Sequence, residues 1–248
     1  NALAYYLWPD YDAESARFTV RLEGADAAGV LRVWYGNPTA TTTSDGDAVY
    51  FFFDQFDGTS IDTAKWDATT YRYGGSISVS GSTARLVSTS STNPTLVSKN
   101  RINTANVTIE SKIRANSVSP VGQDIGICLR QNVLNRAYAV YFLYNSQDYS
   151  DAYIDVTGDG NYDYTKKFLR WKLGNWYTLR VSFHSGGVLW ERAGESTAYG
   201  QTYFRDVYLY HGPWDVGNSM RAYNVEVDYT LVRAYSATPP AATAFGPE

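Results

Sequence analysis

Cysteine, methionine and histidine are almost missing: the 248 residues include 1 Cys, 1 Met and 2 His. A lone Cys128 forms no intrachain disulfide and no cysteine-based metal cluster. No apolar run reaches the roughly 18 residues that a membrane-spanning helix needs. Basic clusters are missing too. With 21 Lys+Arg against 25 Asp+Glu the formal charge is −4, which argues against a nucleic-acid binder. Strands do not alternate with helix-length patterns, so nothing suggests a nucleotide-binding α/β fold. Neither His184 nor His211 lies beside a G-x-S-x-G elbow, and both read as solvated turn histidines rather than members of a Ser-His-Asp triad.

What the chain has in quantity is aromatic: 22 Tyr, 7 Trp and 10 Phe. Tyr, Thr, Ser, Val and Asn dominate over Lys, Glu and Leu, a composition that suits pleated, half-buried surfaces and an extracellular β-protein. Alternation of apolar and polar residues recurs along the chain. Val107, Ile109 and Ile113 interleave with Thr108, Glu110 and Lys112; Ile125, Ile127 and Leu129 interleave with Gly126, Cys128 and Arg130. Tyr138 to Tyr144 is apolar on both faces, as a covered central strand would be. Further strand-like runs cover Tyr177 to Phe183, Tyr203 to Tyr210 and Val225 to Tyr235, separated by turn signals such as Gly74-Gly75, Asp159-Gly160 and Gly186-Gly187. Many short strands at this spacing predict an all-β sandwich or jelly roll. Cys128 reads as an inert core thiol.

Three segments follow from composition. Residues 1–50 form a short β extension with strand-like runs at Arg17–Glu23 and Val30–Tyr35 and a Thr/Ser/Gly link after them. Residues 51–235 form the sandwich, and residues 236–248 form a Pro/Ala-rich tail whose prolines exclude a central strand. The extension and the tail are expected to lie on their own domain or on a neighbouring copy.

One stretch is the most specific: Y-G-N-P at Tyr35–Pro38, a Thr/Ser linker, then F-F-F-D-Q-F-D-G at Phe51–Gly58. It resembles the end of a secreted module of unknown function found on archaeal and bacterial cell-surface proteins. The continuation F-D-G-T-S-I-D-T-A-K-W to Trp66 resembles the opening strand of concanavalin-like, laminin-G-like jelly rolls. N-W-Y-T-L-R-V at Asn175–Val181 and V-E-V-D-Y-T-L-V-R-A-Y at Val225–Tyr235 resemble later strands of that family. The implied fold is a concanavalin-like jelly-roll β-sandwich, which hosts lectins, glycosidases, lyases and spacers alike.

The jelly-roll glycosidases place paired carboxylates on one strand as E-x-D-x-x-E, because cleaving a sugar bond takes two acids facing it. The matching strand, Gln123–Arg130, carries only Asp124, and the motif occurs nowhere in the chain. The Q-I-H triplet of alginate lyases is absent as well. Calcium is the expected cofactor, in a structural role. Asp155, Thr157, Asp159, Asn161 and Asp163 put oxygens at alternate positions of a loop that resembles a calcium loop, with a hairpin turn as the other reading. The jelly-roll resemblance implies a second calcium site between Asp54 or Asp57 and Asp228. Trp171, Trp190, Trp214 and Tyr208 are candidates for stacking on sugar rings, and Asn106 opens the one N-x-[ST] sequon.

The expected function is therefore a non-enzymatic cell-surface building block that assembles with other copies through sheet edges and termini. A carbohydrate-binding, lectin-like module is the alternative, and a polysaccharide hydrolase or lyase the third reading. The expected partners are other copies of the chain or cell-surface glycans, with no nucleic acid and no transmembrane segment.

Overall fold

The coordinates are a computed structural model that describes residues 3–9, 16–22, 39, 41–71, 75–88, 93–119, 125–131, 139–144, 149–156, 163–170, 172–192, 194–201, 204–212 and 222–237. The strands, in chain order, are β1 (Tyr5–Leu7), β2 (Phe18–Val20), β3 (Phe52–Asp54), β4 (Trp66–Tyr71), β5 (Ser76–Val79) and β6 (Ala84–Ser88). Then come β7 (Asn93–Ser98), β8 (Ile102–Asn103), β9 (Val107–Ser119), β10 (Ile125–Arg130), β11 (Ala139–Tyr144) and β12 (Tyr149–Asp155). The series ends with β13 (Tyr164–Arg170), β14 (Trp176–His184), β15 (Gly187–Arg192), β16 (Glu195–Tyr199), β17 (Asp206–His211) and β18 (Ala222–Ala234). Among the described residues one short helix occurs, α1 (Gly46–Val49). It is capped by Asp45, whose Oδ1 accepts the N–H groups of Asp47 at 2.9 Å and Ala48 at 3.2 Å.

Two antiparallel sheets face each other. The first runs β16-β15-β14-β9-β18-β6-β5, with β3 also on β18; the second runs β13-β12-β11-β10-β17-β7-β4, with β8 also on β17. Many neighbours in each sheet are distant in sequence, as in the jelly roll that the strand patterns predict. Alternation sorts the side chains. Ile109, Ile113, Leu179, Val181, Val225 and Val227 of the first sheet meet Ile127, Leu129, Ile154, Val207 and Leu209 of the second, all at most 1% exposed. Each such burial contributes on the order of 1.5–3 kcal/mol.

Polar groups also cross the gap between the sheets. His211 is 1% exposed, so the expectation of a solvated turn histidine is corrected. Because a carbonyl only accepts, Nδ1 carries the proton and donates to Gly126 O at 3.1 Å, while Nε2 accepts from the Thr230 hydroxyl at 2.9 Å. Ser111 completes the relay at 3.0 Å from Thr230 Oγ1. Burial drives the imidazole pKa down to about 4, so the ring is neutral. His184 lies on β14, where Nδ1 accepts from Gly186 N at 3.0 Å and the ring stacks on Tyr235.

The N-terminal strands pack on the outer face of the first sheet of their own chain. Tyr6, Trp8, Tyr50 and Phe53 join Tyr229 and Leu231 in one buried cluster, with Tyr6 and Phe53 rings 4.7 Å apart and Trp8 and Tyr229 rings 5.0 Å apart. Tyr229 in turn donates to the buried Glu110 at 2.7 Å, and Arg180 Nε donates to the other oxygen of that carboxylate at 2.5 Å. β2 answers the strand-like run Arg17–Glu23, whereas Val30–Tyr35 and residues 238–248 lie outside the described residues.

Candidate functional site

The outer face of the second sheet is built by the same alternation that fills the core. In β10, Ile127 and Leu129 point inward, which turns Gly126, Cys128 and Arg130 outward. In β17, Val207 and Leu209 point inward and Tyr208 and Tyr210 outward. The register sets Cys128 opposite Tyr210 and Arg130 opposite Tyr208. Val97 from β7 and Tyr153 from β12 join Cys128, Tyr208 and Tyr210 in a third apolar cluster, separate from the main core and from the N-terminal one.

Charge is laid over this aromatic floor. The Arg130 guanidinium lies 5.3 Å from the Tyr210 ring centre and the residue is 3% exposed. Arg101, just before β8, lies 5.1 Å from the ring centre of Tyr208. Asp155 shares a row with Arg130, because Arg130 pairs with Ala139 and Ala139 with Asp155, and Asp155 is 2% exposed. β10 and β11 contain no Asp or Glu. Asp155 therefore brings a buried carboxylate to this face, and Asp124 lies outside the described residues. Chemically the accessible part of the face offers the half-buried rings of Tyr153 and Tyr208 for sugar C–H faces and the exposed Arg101 guanidinium for sugar oxygens, with Arg130 and Asp155 buried beside them.

The calcium candidates of the first strand do not converge. Asp54 is buried; its Oδ1 accepts from Phe56 N at 2.8 Å and its Oδ2 from Trp66 Nε1 at 2.6 Å. Burial, the largest influence, raises its pKa despite those two donors. Asp57 accepts from the Gln55 amide at 3.0 Å, and Asp228 pairs with Lys112 at 2.6 Å. A hollow of about 210 Å³ lies beside Asp45, Asp47, Asp54 and Asp57. Lys65 already supplies a cation there, 2.8 Å from Asp47 Oδ2 and 2.7 Å from Phe53 O. These side chains do not fit a shared calcium ion. No group of three or more His, Cys, Asp or Glu residues that could hold a metal occurs among the described residues.

In the 155–163 loop, Asp163 closes the hairpin: its Oδ2 accepts from Val156 N at 2.7 Å and its N–H donates to Ile154 O at 2.9 Å. Thr157, Asp159 and Asn161 lie outside the described residues, as do Trp171 and Trp214. Trp190 is fully buried against Tyr164, so as a sugar platform it is corrected to a core residue. Tyr208 is half-buried on the outer face. Asn106 is exposed at φ 53°, a left-handed turn position that asparagine tolerates better than most residues. Arg101 and Arg130 carry no signal in the sequence, because only the register of β8 and β10 with β17 brings them to Tyr208.

The fold belongs to the class of two-sheet jelly rolls found among glycoside hydrolases. The chain resembles a laminarinase from Flavobacterium sp., with a TM-score of 0.59 and 11% identity over 75% of this chain and 100% of that one. It resembles a glycosyl hydrolase family protein from Mycobacterium fortuitum, with a TM-score of 0.53 and 17% identity over 74% of this chain and 99% of that one. A pseudo β-1,3-glucanase of Mycobacterium tuberculosis matches with a TM-score of 0.55 and 14% identity over 75% of this chain and 99% of that one. Residues 1–69 match the model of a domain of unknown function, DUF2341. No curated protein matches the sequence.

These likenesses overturn the expectation of a non-enzymatic, self-assembling building block, because proteins named as glycosyl hydrolase and laminarinase share the fold along nearly their whole length. The expectation that the chain is no enzyme stood on one missing carboxylate motif, and it is corrected with the first. Assembly through the N-terminal segment loses its basis too, since β1 pairs with β2 and packs on its own sheet.

Proposed function

We propose that the chain is a hydrolase of a β-linked polysaccharide, working outside the cell and holding its substrate across the outer face of β10, β12 and β17. The observation that carries this reading is the pair of half-buried rings, Tyr153 and Tyr208, clustered with the buried Tyr210 beside Arg130 and Asp155, on a fold shared with a laminarinase. Tyrosine rings stack on sugar faces, and guanidinium groups orient hydroxyl and ring oxygens. Hydrolysis takes an acid on this face, and the reading assigns that role to Asp155, which lies in the row of Arg130.

Release of reducing ends from laminarin, barley β-glucan and acidic polysaccharides tests the proposal. Wild-type protein is expected to release them from at least one polymer. Asp155→Asn is expected to lower the rate by about 100-fold or more, the size of losing a positioned acid or base. No release from any polymer, or an unchanged rate in Asp155→Asn, contradicts it.

A further inference from the structure

The row that contains Tyr208 has an uncommon composition. Arg130 of β10 pairs with Tyr208 on one side. On the other, β8 pairs Asn103 with Asp206 and Ile102 with Val207, and the same register carried one residue further sets Arg101 beside Tyr208. The ring contact at 5.1 Å agrees. One tyrosine thus stands between two arginines, about two strand spacings or 10 Å apart at the backbone.

The two guanidinium groups differ in use. Arg130 is buried and stacked on Tyr210. Arg101 is exposed, and among the described residues no carboxylate pairs with it; its contact is the Tyr208 ring. Stacking on the ring holds a long side chain in one place, while the planar edge of the guanidinium still faces solvent with its fork of donors. Such a fork matches an oxyanion with two acceptor oxygens. Lys99, at the end of β7, adds a third cation and is offset by Asp67 at 3.7 Å. The chain as a whole carries −4, and Asp155 lies two strands beyond the buried Arg130 in the same row, so the exposed positive charge of this row is that of Arg101.

From this row we infer that the substrate is an acidic polysaccharide, its carboxylate or sulfate group received by Arg101 over the Tyr208 ring. The inference rests on the glycan-holding reading of the same face and narrows it to a substrate class other than a neutral glucan.

Titration calorimetry of the whole chain at low salt tests it, with β-1,4-linked polymannuronate as the carboxylate polymer, carrageenan as the sulfate polymer and laminarin as the neutral one. At least one acidic polymer is expected to bind about 10-fold or more tighter than laminarin, and to weaken as salt is raised. Arg101→Ala is expected to lose about 10-fold in that affinity, the usual effect of losing a charge-assisted hydrogen bond, with Arg101→Lys keeping part of it. Arg85→Ala, which removes the same charge from β6 of the other sheet, is expected to bind as wild type. Whether polymannuronate or carrageenan responds to Arg101→Ala decides between carboxylate and sulfate.

Equal affinity for acidic and neutral polymers, or equal losses in Arg101→Ala and Arg85→Ala, overturns the inference. Cleavage of laminarin without binding of either acidic polymer also overturns it and leaves the hydrolase reading standing. Binding of an acidic polymer through Arg101 without release of reducing ends supports the inference and sinks the hydrolase reading instead.

Discussion

Replacing Asp54 with alanine is expected to lower the unfolding midpoint by about 10 °C. Two buried donors depend on that carboxylate: the backbone N–H of Phe56 at 2.8 Å and the indole N–H of Trp66 at 2.6 Å. Leaving each unsatisfied costs roughly 1–3 kcal/mol. Phe56 also holds a φ of 52°, a region that a bulky residue rarely adopts, and the Asp54 side chain is what bridges back to its N–H. A combined loss of about 4 kcal/mol corresponds to roughly 8–16 °C for a chain of this size. Asp54→Asn keeps one acceptor oxygen and is expected to lose about half as much. Differential scanning calorimetry of the three proteins checks this; a shift under about 3 °C for the alanine variant would show that these hydrogen bonds hold little of the first strand in place.

Acid is expected to act through His211. Its folded-state pKa of about 4 lies below the ordinary value of 6.5, because burial penalises the imidazolium. The stability this provides is complete above 6.5 and is lost as pH falls through the window toward 4, since the unfolded chain takes up the proton first. The full loss is about 3 kcal/mol. Denaturant titrations between those limits should show wild type losing stability faster than His211→Gln. Carboxylates outside the relay titrate in both proteins and cancel in the comparison. Parallel curves would contradict a neutral His211 held between Gly126 and Thr230.

Much of the fold is legible in the sequence because alternation is local. Ile127 and Leu129 mark the inner face of β10, and Val225 and Val227 that of β18, without knowledge of any partner strand. The place of His211 is not legible: a histidine before Gly212-Pro213 reads as a turn residue, and only the opposite sheet supplies Thr230 as its partner. Trp190 misleads for a related reason. It alternates correctly in β15, but whether its face meets solvent or Tyr164 depends on a distant strand. The candidate site is legible in part. Tyr208 stands out in its strand, whereas Arg101 and Arg130 are separated by 29 positions in sequence and meet at Tyr208 only through cross-strand register. A glycosidase motif confined to one strand has no counterpart in a face assembled from several.

Amide hydrogen exchange with and without a bound polysaccharide tests most directly where the substrate lies. Added protection confined to β10, β12 and β17 and to the segment around Arg101 is the predicted result. Protection on β9, β14 and β18 instead, around the Trp176, Lys112 and Arg114 cluster of the first sheet, would place the polymer on the wrong side of the sandwich and contradict the account.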